Sequence, residues 1–252
     1  MFPNVLSIGI IFNALSCGFV AAVALALVFY LLKRWPQLDL TMKAFAWFWW
    51  FTFLIWMFTA TRYLLISMGH TGPWVGYLDI YGQAAVFFSG PGLFYYIILR
   101  VFKNKLMADI LATASFALGL LSLWYIFGAN GLPVRDVTDF SADSTVNSVS
   151  FAIFSVQISI LMFLLVYNII SRWIHWREHR HQPILYEALY SLAILIYVIL
   201  GSIDESKIIT GWPLIAFRLF YGGAFMFAYL IMTQSEEMKQ NFFVNDDAKA
   251  AA

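Results

Sequence analysis

Charged residues and cysteines are scarce in this chain of 252 residues, and each scarcity excludes a class of protein. Asp, Glu, Lys and Arg make up 12% of the sequence, whereas soluble domains contain about a quarter. The single cysteine, Cys17, excludes an internal disulfide framework and a cysteine-rich metal site. A formal net charge of +1 gives no electrostatic reason to expect a nucleic-acid partner. What remains is a chain that is 62% hydrophobic and 19% aromatic.

Apolar runs dominate the sequence, and a helix needs about 20 mainly apolar residues to cross the hydrocarbon core of a bilayer. The runs that meet this length are 5–32, 44–68, 74–100, 106–128, 148–171, 184–203 and 212–233. The first run is too long for a signal peptide and lacks a basic leader. The predicted fold class is therefore all-α, a polytopic integral membrane protein with a seven-transmembrane-helix bundle at 1–234. A short polar tail follows at 235–252.

Basic residues are concentrated in alternate loops of this predicted bundle and in the tail. The rich segments contain Lys33, Arg34, Lys43, Arg100, Lys103, Lys105, Arg172, Arg177, Arg180, Lys239 and Lys249. The loops between them contain only Arg135 and Lys207. Because loops rich in lysine and arginine stay in the cytoplasm, we expect the N-terminus outside and the C-terminus in the cytoplasm. The predicted location is the cell (inner or cytoplasmic) membrane, with the lipid bilayer as the first partner.

Several chemistries can be tested against the sequence and set aside. A retinal pigment needs a lysine in its last helix, and "WPLIAFRLFYGGAFMFAYLIMTQ" has none. The four histidines lie in loops or at span ends, which disfavours a buried haem. "HWREHRH" at 175–181 resembles one histidine box of a membrane desaturase, but such a site needs several boxes. No catalytic constellation can be placed at one membrane depth, so we expect a protein that is not an enzyme, with no cofactor and no metal.

Three charged residues fall inside the outer halves of predicted spans, where charge is costly and usually functional. By helix rise, Arg62, Asp79 and Arg218 all lie about 8–9 Å below the outer boundary. Two arginines against one aspartate leave an excess positive charge, which favours a small anionic ligand held by a guanidinium fork. The predicted ligand-binding residues are Arg62, Asp79, Arg218, Asn13, Tyr63, Tyr81 and Tyr221. The alternative is a structural Arg–Asp bridge, with the second arginine extended to the surface.

"FFSGPGLFYY" at 87–96 places three poor helix formers near the centre of the third span. Proline removes a backbone hydrogen bond and clashes with the preceding turn, and glycine on both sides permits bending. Gly90, Pro91 and Gly92 are therefore the predicted hinge, a kink that could absorb a ligand-driven tilt. The alternative is a static bend that fits this helix into the bundle.

An arginine near the outer end of span two and a glycine-rich third span that ends in "FYYIILRVFKNK" carry a resemblance. With seven helices and dense aromatics, the chain resembles the seven-helix sensor domains that precede bacterial histidine kinases. The resemblance is one of topology and implies a non-enzymatic receptor or sensor. No kinase, cyclase or PAS-like segment follows in the sequence, so signalling would pass through a separate protein partner.

Two other functions stay open at this point. Small residues at four-residue spacing in spans one and five permit close helix contacts, which fits a non-catalytic subunit of a larger membrane complex or a homo-oligomer. A small-molecule or ion transporter is the third candidate, because broken helices at the midplane often form transporter sites. "WPQL" at 35–38 resembles the Pro-Gln dipeptide of PQ-loop transporters. A repeat-built transporter should contain a second broken span, for which Gly222–Gly223 is the partial candidate.

Overall fold

The computed structural model describes residues 8–70, 72–127, 135–144, 147–179, 182–206 and 208–234. Seven long helices fill these ranges: α1 Ile8–Leu32, α2 Leu40–Ser67, α3 Pro73–Phe102, α4 Lys105–Phe127, α5 Ser148–His179, α6 Gln182–Glu205 and α7 Trp212–Gln234. All seven are long and apolar enough to cross a membrane. The predicted all-α bundle of a multi-pass membrane protein is therefore confirmed in its helix count. The tail at 235–252 lies outside the described residues.

Two ends of the bundle can be told apart. At the hairpin end, α1, α3, α5 and α7 begin, and a short antiparallel hairpin joins β1 (Arg135–Val137) to β2 (Ala142–Ser144). At the opposite, basic end, a 3-10 turn at Trp35–Gln37 connects α1 to α2.

Polar residues set several helix ends beyond the predicted apolar runs. The side chain of Asp39 accepts a hydrogen bond from the backbone N–H of Met42 at 2.7 Å, so α2 starts at Leu40 rather than at 44. Lys103 adopts a left-handed conformation with φ 51° and ends α3. The polar segment after 171 continues α5 to His179, because hydropathy locates the apolar part of a helix and not its end.

The hairpin lies over the beginnings of α1 and α7. The carbonyl oxygen of Phe140, in its turn, accepts a hydrogen bond from Asn13 Nδ2 at 2.6 Å. The Phe140 ring lies edge-on to Trp212, with ring centroids 5.2 Å apart. No helix or strand was predicted between the spans 106–128 and 148–171, and the two strands are a correction to that expectation.

Aromatic packing joins α2 to its neighbours in the centre of the bundle. Phe45 lies 4.3 Å from Tyr96 and 5.2 Å from Tyr190 by ring centroids. Trp49 packs edge-on against Phe225 at 4.7 Å, and its indole N–H donates to the hydroxyl of Tyr190 at 3.0 Å. In lipid there is little hydrophobic force between helices, so such van der Waals contacts and interhelical hydrogen bonds hold the bundle together.

The glycine–proline–glycine triplet lies where α3 passes closest to other helices. A Cβ on Gly92 would lie 2.5 Å from the carbonyl oxygen of Ala44, and one on Gly90 would lie 2.9 Å from Ser115 Oγ. The helix remains continuous through Pro91. Because Pro91 has no N–H, the carbonyl oxygen of Phe87 lacks its usual helical partner. The carbonyl oxygen of the next residue, Phe88, accepts a hydrogen bond from the Trp47 indole N–H at 2.9 Å. Close packing thus accounts for both glycines, which supports the static bend, and the hinge role stays a prediction.

Among the described helices, the second broken span expected of a repeat-built transporter is not found. Within the described residues, α7 is continuous from Trp212 to Gln234. Gly222 is a contact point rather than a break, since a Cβ there would clash with the ring of Phe19 in α1.

Candidate functional site

Arg62 and Asp79 form an ion pair between α2 and α3 near the hairpin end. Both residues are buried, at 8% and 3% exposure. Counting residues along the helices placed them at one depth, and the structure brings them into contact. Two charges this far from solvent persist only when they are paired, so the pair ties the two helices together whatever else it does.

Arg218 lies in a second cluster of polar contacts. Its Nε and Nη2 donate to the two carboxylate oxygens of Asp204, both at 3.1 Å. Its Nη1 donates to Asn13 Oδ1 at 2.7 Å and to the hydroxyl of Tyr63 at 3.0 Å. The residue is 3% exposed. One guanidinium therefore connects α1, α2, α6 and α7, and it does not extend to the surface as the alternative expectation had it.

The expected excess of positive charge is corrected by this pairing. The predicted span 184–203 ends before Asp204 and Glu205, whereas α6 continues to Glu205 and turns both acids toward the predicted site. Arg218 is neutralised by Asp204, and Arg62 by Asp79. The charges at the site therefore no longer favour an anionic ligand.

A cavity of about 150 Å³ lies between α2, α3, α5, α6 and α7. Its charged residues, at the hairpin end, are Arg62, Asp79, Asp204, Glu205 and Arg218. Along α3 it reaches from Leu78 to Leu93, which corresponds to about 22 Å of helix rise. A buried volume of this size suffices for a benzene-sized molecule or several waters. The site is thus a narrow cleft with a charged end and a mostly apolar deep end.

The predicted site residues divide into three groups. Arg62, Asp79, Arg218 and Tyr221 line the cavity. Asn13 and Tyr63 lie behind it, as hydrogen-bond partners of Arg218. Tyr81 does not line it and is a correction, since its side chain is 54% exposed beside Phe58. Residues two apart on a helix point to opposite sides, so Tyr81 shares the depth of Asp79 without sharing its face.

Sequence reasoning missed much of the cavity wall. Trp56, Gln83, Gln157 and Tyr197 all line it, as does Glu205. Gln157 offered a signal, because it is a polar residue in the apolar run of α5. Its side chain also bonds with Ser115 of α4, whose Oγ donates to Gln157 Oε1 at 3.2 Å. The aromatic residues of the wall offered no such signal, because the sequence does not distinguish them from neighbouring aromatic residues of the same helices that pack elsewhere.

Aromatic rings and an unsatisfied hydroxyl form one side of the cleft. The ring of Tyr221 lies 4.7 Å from that of Trp56 and 5.7 Å from that of Tyr197. Tyr221 is fully buried, and its hydroxyl makes no hydrogen bond to any residue that the structure describes. Because buried polar groups are nearly always hydrogen-bonded, this hydroxyl indicates a place for a bound polar group.

Another ionic cluster connects three helices at the basic end of the bundle. Glu187 in α6 lies 3.2 Å from Arg100 of α3 and 3.0 Å from Arg172 of α5. Arg172 also donates to the carbonyl oxygen of Arg100 at 2.9 Å. This cluster lies outside the cavity lining, and its geometry is that of a structural connection among three helices.

The histidine-rich segment forms an exposed group at the end of α5. The potential ligand atoms of His175, Glu178 and His179 all lie within 4.8 Å of one another. His179 Nδ1 is 3.1 Å from the carbonyl oxygen of His175, so this nitrogen is already engaged with the backbone. The remaining histidine of the motif, His181, lies outside the described residues. The expectation of no metal stays a prediction.

Comparison of the chain with models of known protein families and with curated proteins gave no match. The resemblance to sensor domains therefore stays a prediction, and function has to be argued from the cavity.

Proposed function

We propose that this protein is a non-enzymatic seven-helix membrane receptor or sensor that binds a small molecule in the cleft between α2, α3, α5, α6 and α7. The observation that carries the proposal is a cavity of about 150 Å³ whose charged residues meet at one end. Ligand sites are concave and mostly apolar, with a few polar groups that fix orientation. The cleft has this composition.

The proposed orientation places the hairpin end, and with it the charged end of the cleft, outside the cell. Its support is the concentration of lysine and arginine at the other end, which favours the cytoplasm. A ligand would then enter from the outside. Its contacts with five helices give it the means to change their packing, and α3 connects the cleft at Asp79 to the ionic cluster at Arg100. Signalling would pass to a separate partner at that end.

Cavity filling tests the site without removing a charge. Gly201 lines the cleft, and a Cβ there would meet nothing within 4 Å. Gly201→Leu should therefore fill the cleft without a backbone clash. Gly223 is the matched control, because it is exposed and equally open but lies outside the cavity lining.

The measurement is the melting temperature of the protein in nanodiscs against a panel of small amines, amino acids, carboxylates and sugars. A ligand that binds the folded state raises the melting temperature. We expect this rise in the wild type and in Gly223→Leu but not in Gly201→Leu. A panel with no stabilising member, or a rise that survives in Gly201→Leu, would argue against the cleft as a ligand site.

A second candidate, a non-catalytic subunit of a membrane complex, is favoured by one surface. The four-residue row of small residues on α5 is largely uncovered, with Ser148, Ala152 and Ser159 exposed. Their small size permits another helix to approach closely. Purification in mild detergent discriminates, since stoichiometric co-purification of a partner would favour the subunit, and a lone monomer would favour the receptor.

A further inference from the structure

We propose that the cleft takes a small organic cation, an amine with an apolar or aromatic body, whose ammonium group lies among Asp79, Asp204 and Glu205. This inference rests on the proposed function and names the ligand class. It reverses the expectation of an anionic ligand.

The charge balance of the cleft is the first argument. Its described lining contains two arginines and three carboxylates, a formal sum of −1. Each arginine already has a carboxylate partner, Asp79 for Arg62 and Asp204 for Arg218. An anion would have to compete with these carboxylates and would increase the negative excess. A cation would neutralise it, and opposite charges attract strongly at the reduced dielectric of a buried site.

Glu205 supplies the third carboxylate at the charged end. Its Oε1 lies 3.4 Å from the amide nitrogen of Gln83, across the cleft on α3. The side chain is partly exposed, unlike the arginines. The ammonium group would therefore meet an acidic side chain at the end where a ligand enters.

The aromatic wall is the second, independent argument. Trp56, Tyr197 and Tyr221 present adjacent rings to the cleft. The face of an aromatic ring attracts a cation, and tryptophan and tyrosine do so most strongly. The buried hydroxyl of Tyr221, which makes no hydrogen bond within the described chain, can accept one from an ammonium N–H.

The deep end of the cleft suits the remainder of such a molecule. Val86 and Phe87 of α3 face Phe154, Ile158 and Leu161 of α5 around it. A cavity volume of about 150 Å³ accommodates a body of about the size of benzene. An aryl amine would thus place its ring at the apolar end and its ammonium at the acids.

Three matched probes test the sign of the ligand charge: 2-phenylethylammonium, 3-phenylpropionate and the neutral alcohol 2-phenylethanol. The wild type is placed in nanodiscs of uncharged phosphatidylcholine, and binding is measured by calorimetry, with empty nanodiscs and Gly201→Leu as controls for partition into lipid. We expect the amine to bind about tenfold or more tightly than either analogue, a difference of about 1.4 kcal/mol. Its binding should be lost in Gly201→Leu.

Glu205→Gln tests the position of the ammonium group. It keeps the size and the contact with Gln83 while removing the charge, and it should weaken amine binding about tenfold without weakening the alcohol. Asp109→Asn, at an exposed acid of α4 paired with Lys105 away from the cleft, is the matched control and should change nothing.

The outcomes separate this inference from the proposed function. If the carboxylate or the alcohol binds more tightly than the amine, and this binding is lost in Gly201→Leu, the proposed cationic ligand is wrong. The proposal that the cleft binds a ligand would then still hold. Amine binding unchanged in Glu205→Gln would overturn the placement of the ammonium. If no probe binds the wild type better than Gly201→Leu, the cation is overturned, and the broader panel of amino acids and sugars decides whether the cleft itself fails.

Discussion

The guanidinium of Arg218 is bound on all sides by the protein itself, and this decides how the residue should be interpreted. Its N–H groups donate hydrogen bonds to Asp204, Asn13 and Tyr63, which lie on three other helices. Asn13 in turn donates to the hairpin through the carbonyl oxygen of Phe140. Although Arg218 lines the cleft, its hydrogen bonds connect helices to one another. Contacts with the proposed ligand are therefore expected at the carboxylates and aromatic rings around it.

Arg218→Gln should strongly lower the melting temperature of the protein. Breaking a buried ion pair leaves an uncompensated charge, here Asp204, at a cost of about 3–5 kcal/mol. Arg218→Lys should restore part of the loss, since it keeps the charge but cannot make the two-oxygen contact with Asp204. Thermal unfolding in nanodiscs measures both.

The control for Arg218→Gln is Lys105→Gln, which removes one partner of an exposed ion pair to Asp109. Exposed pairs contribute little, so its melting temperature should stay near that of the wild type. If Arg218→Gln unfolded no earlier than Lys105→Gln, the structural role of Arg218 would be wrong, and a direct role in binding would regain support.

At the scale of elements, Gly92 marks a close backbone contact between α3 and α2. Gly92→Ala should destabilise the protein, because the added Cβ would lie 2.5 Å from the carbonyl oxygen of Ala44 and 3.0 Å from the backbone nitrogen of Phe48. The atoms in the way belong to backbone, so α2 and α3 must move apart. Gly223→Ala, with open space around the new methyl group, should be neutral or stabilising. Thermal unfolding compares the two.

Pro91→Ala separates the static bend from the hinge. If the bend only fits α3 into the bundle, this change should alter the melting temperature and leave ligand affinity unchanged. A variant that folds with a normal melting temperature yet loses its response to a bound ligand would contradict the static bend and support the predicted hinge.

The elements were predictable from sequence to the extent that hydropathy determines them. Each apolar run became a helix, because a chain in lipid must satisfy its backbone internally. The ends were less predictable: the Asp39 cap extends α2, and the last turn of α6 includes Asp204 and Glu205. That one turn reversed the charge balance of the site. The depth of a residue could be counted along its helix, but the side of the helix toward which its side chain points could not. Arg62 and Asp79 were therefore placed correctly, and Tyr81 was not.

At the scale of the whole molecule, two polar clusters close the bundle, one at each end. The cluster around Arg218 joins α1, α2, α6 and α7, and the one around Glu187 joins α3, α5 and α6. The cleft lies next to the first cluster and shares α3, α5 and α6 with the second. A ligand bound as proposed at the hairpin end would therefore contact helices whose other ends are held together, as transmission across the bundle requires.

The side of the membrane on which the cleft opens is a property of the whole chain, and single cysteines can determine it. The native Cys17 is fully buried, so the wild type should remain unlabelled. Val137→Cys, exposed in the hairpin, and Gln37→Cys, exposed in the turn after α1, change no charge and mark opposite ends of the bundle. With a membrane-impermeant maleimide on intact cells, we expect rapid labelling at 137 and labelling at 37 only after permeabilisation, because the basic loops stay in the cytoplasm. The reverse pattern would invert the topology, and the cleft would then sample molecules of the cytoplasm instead of those outside.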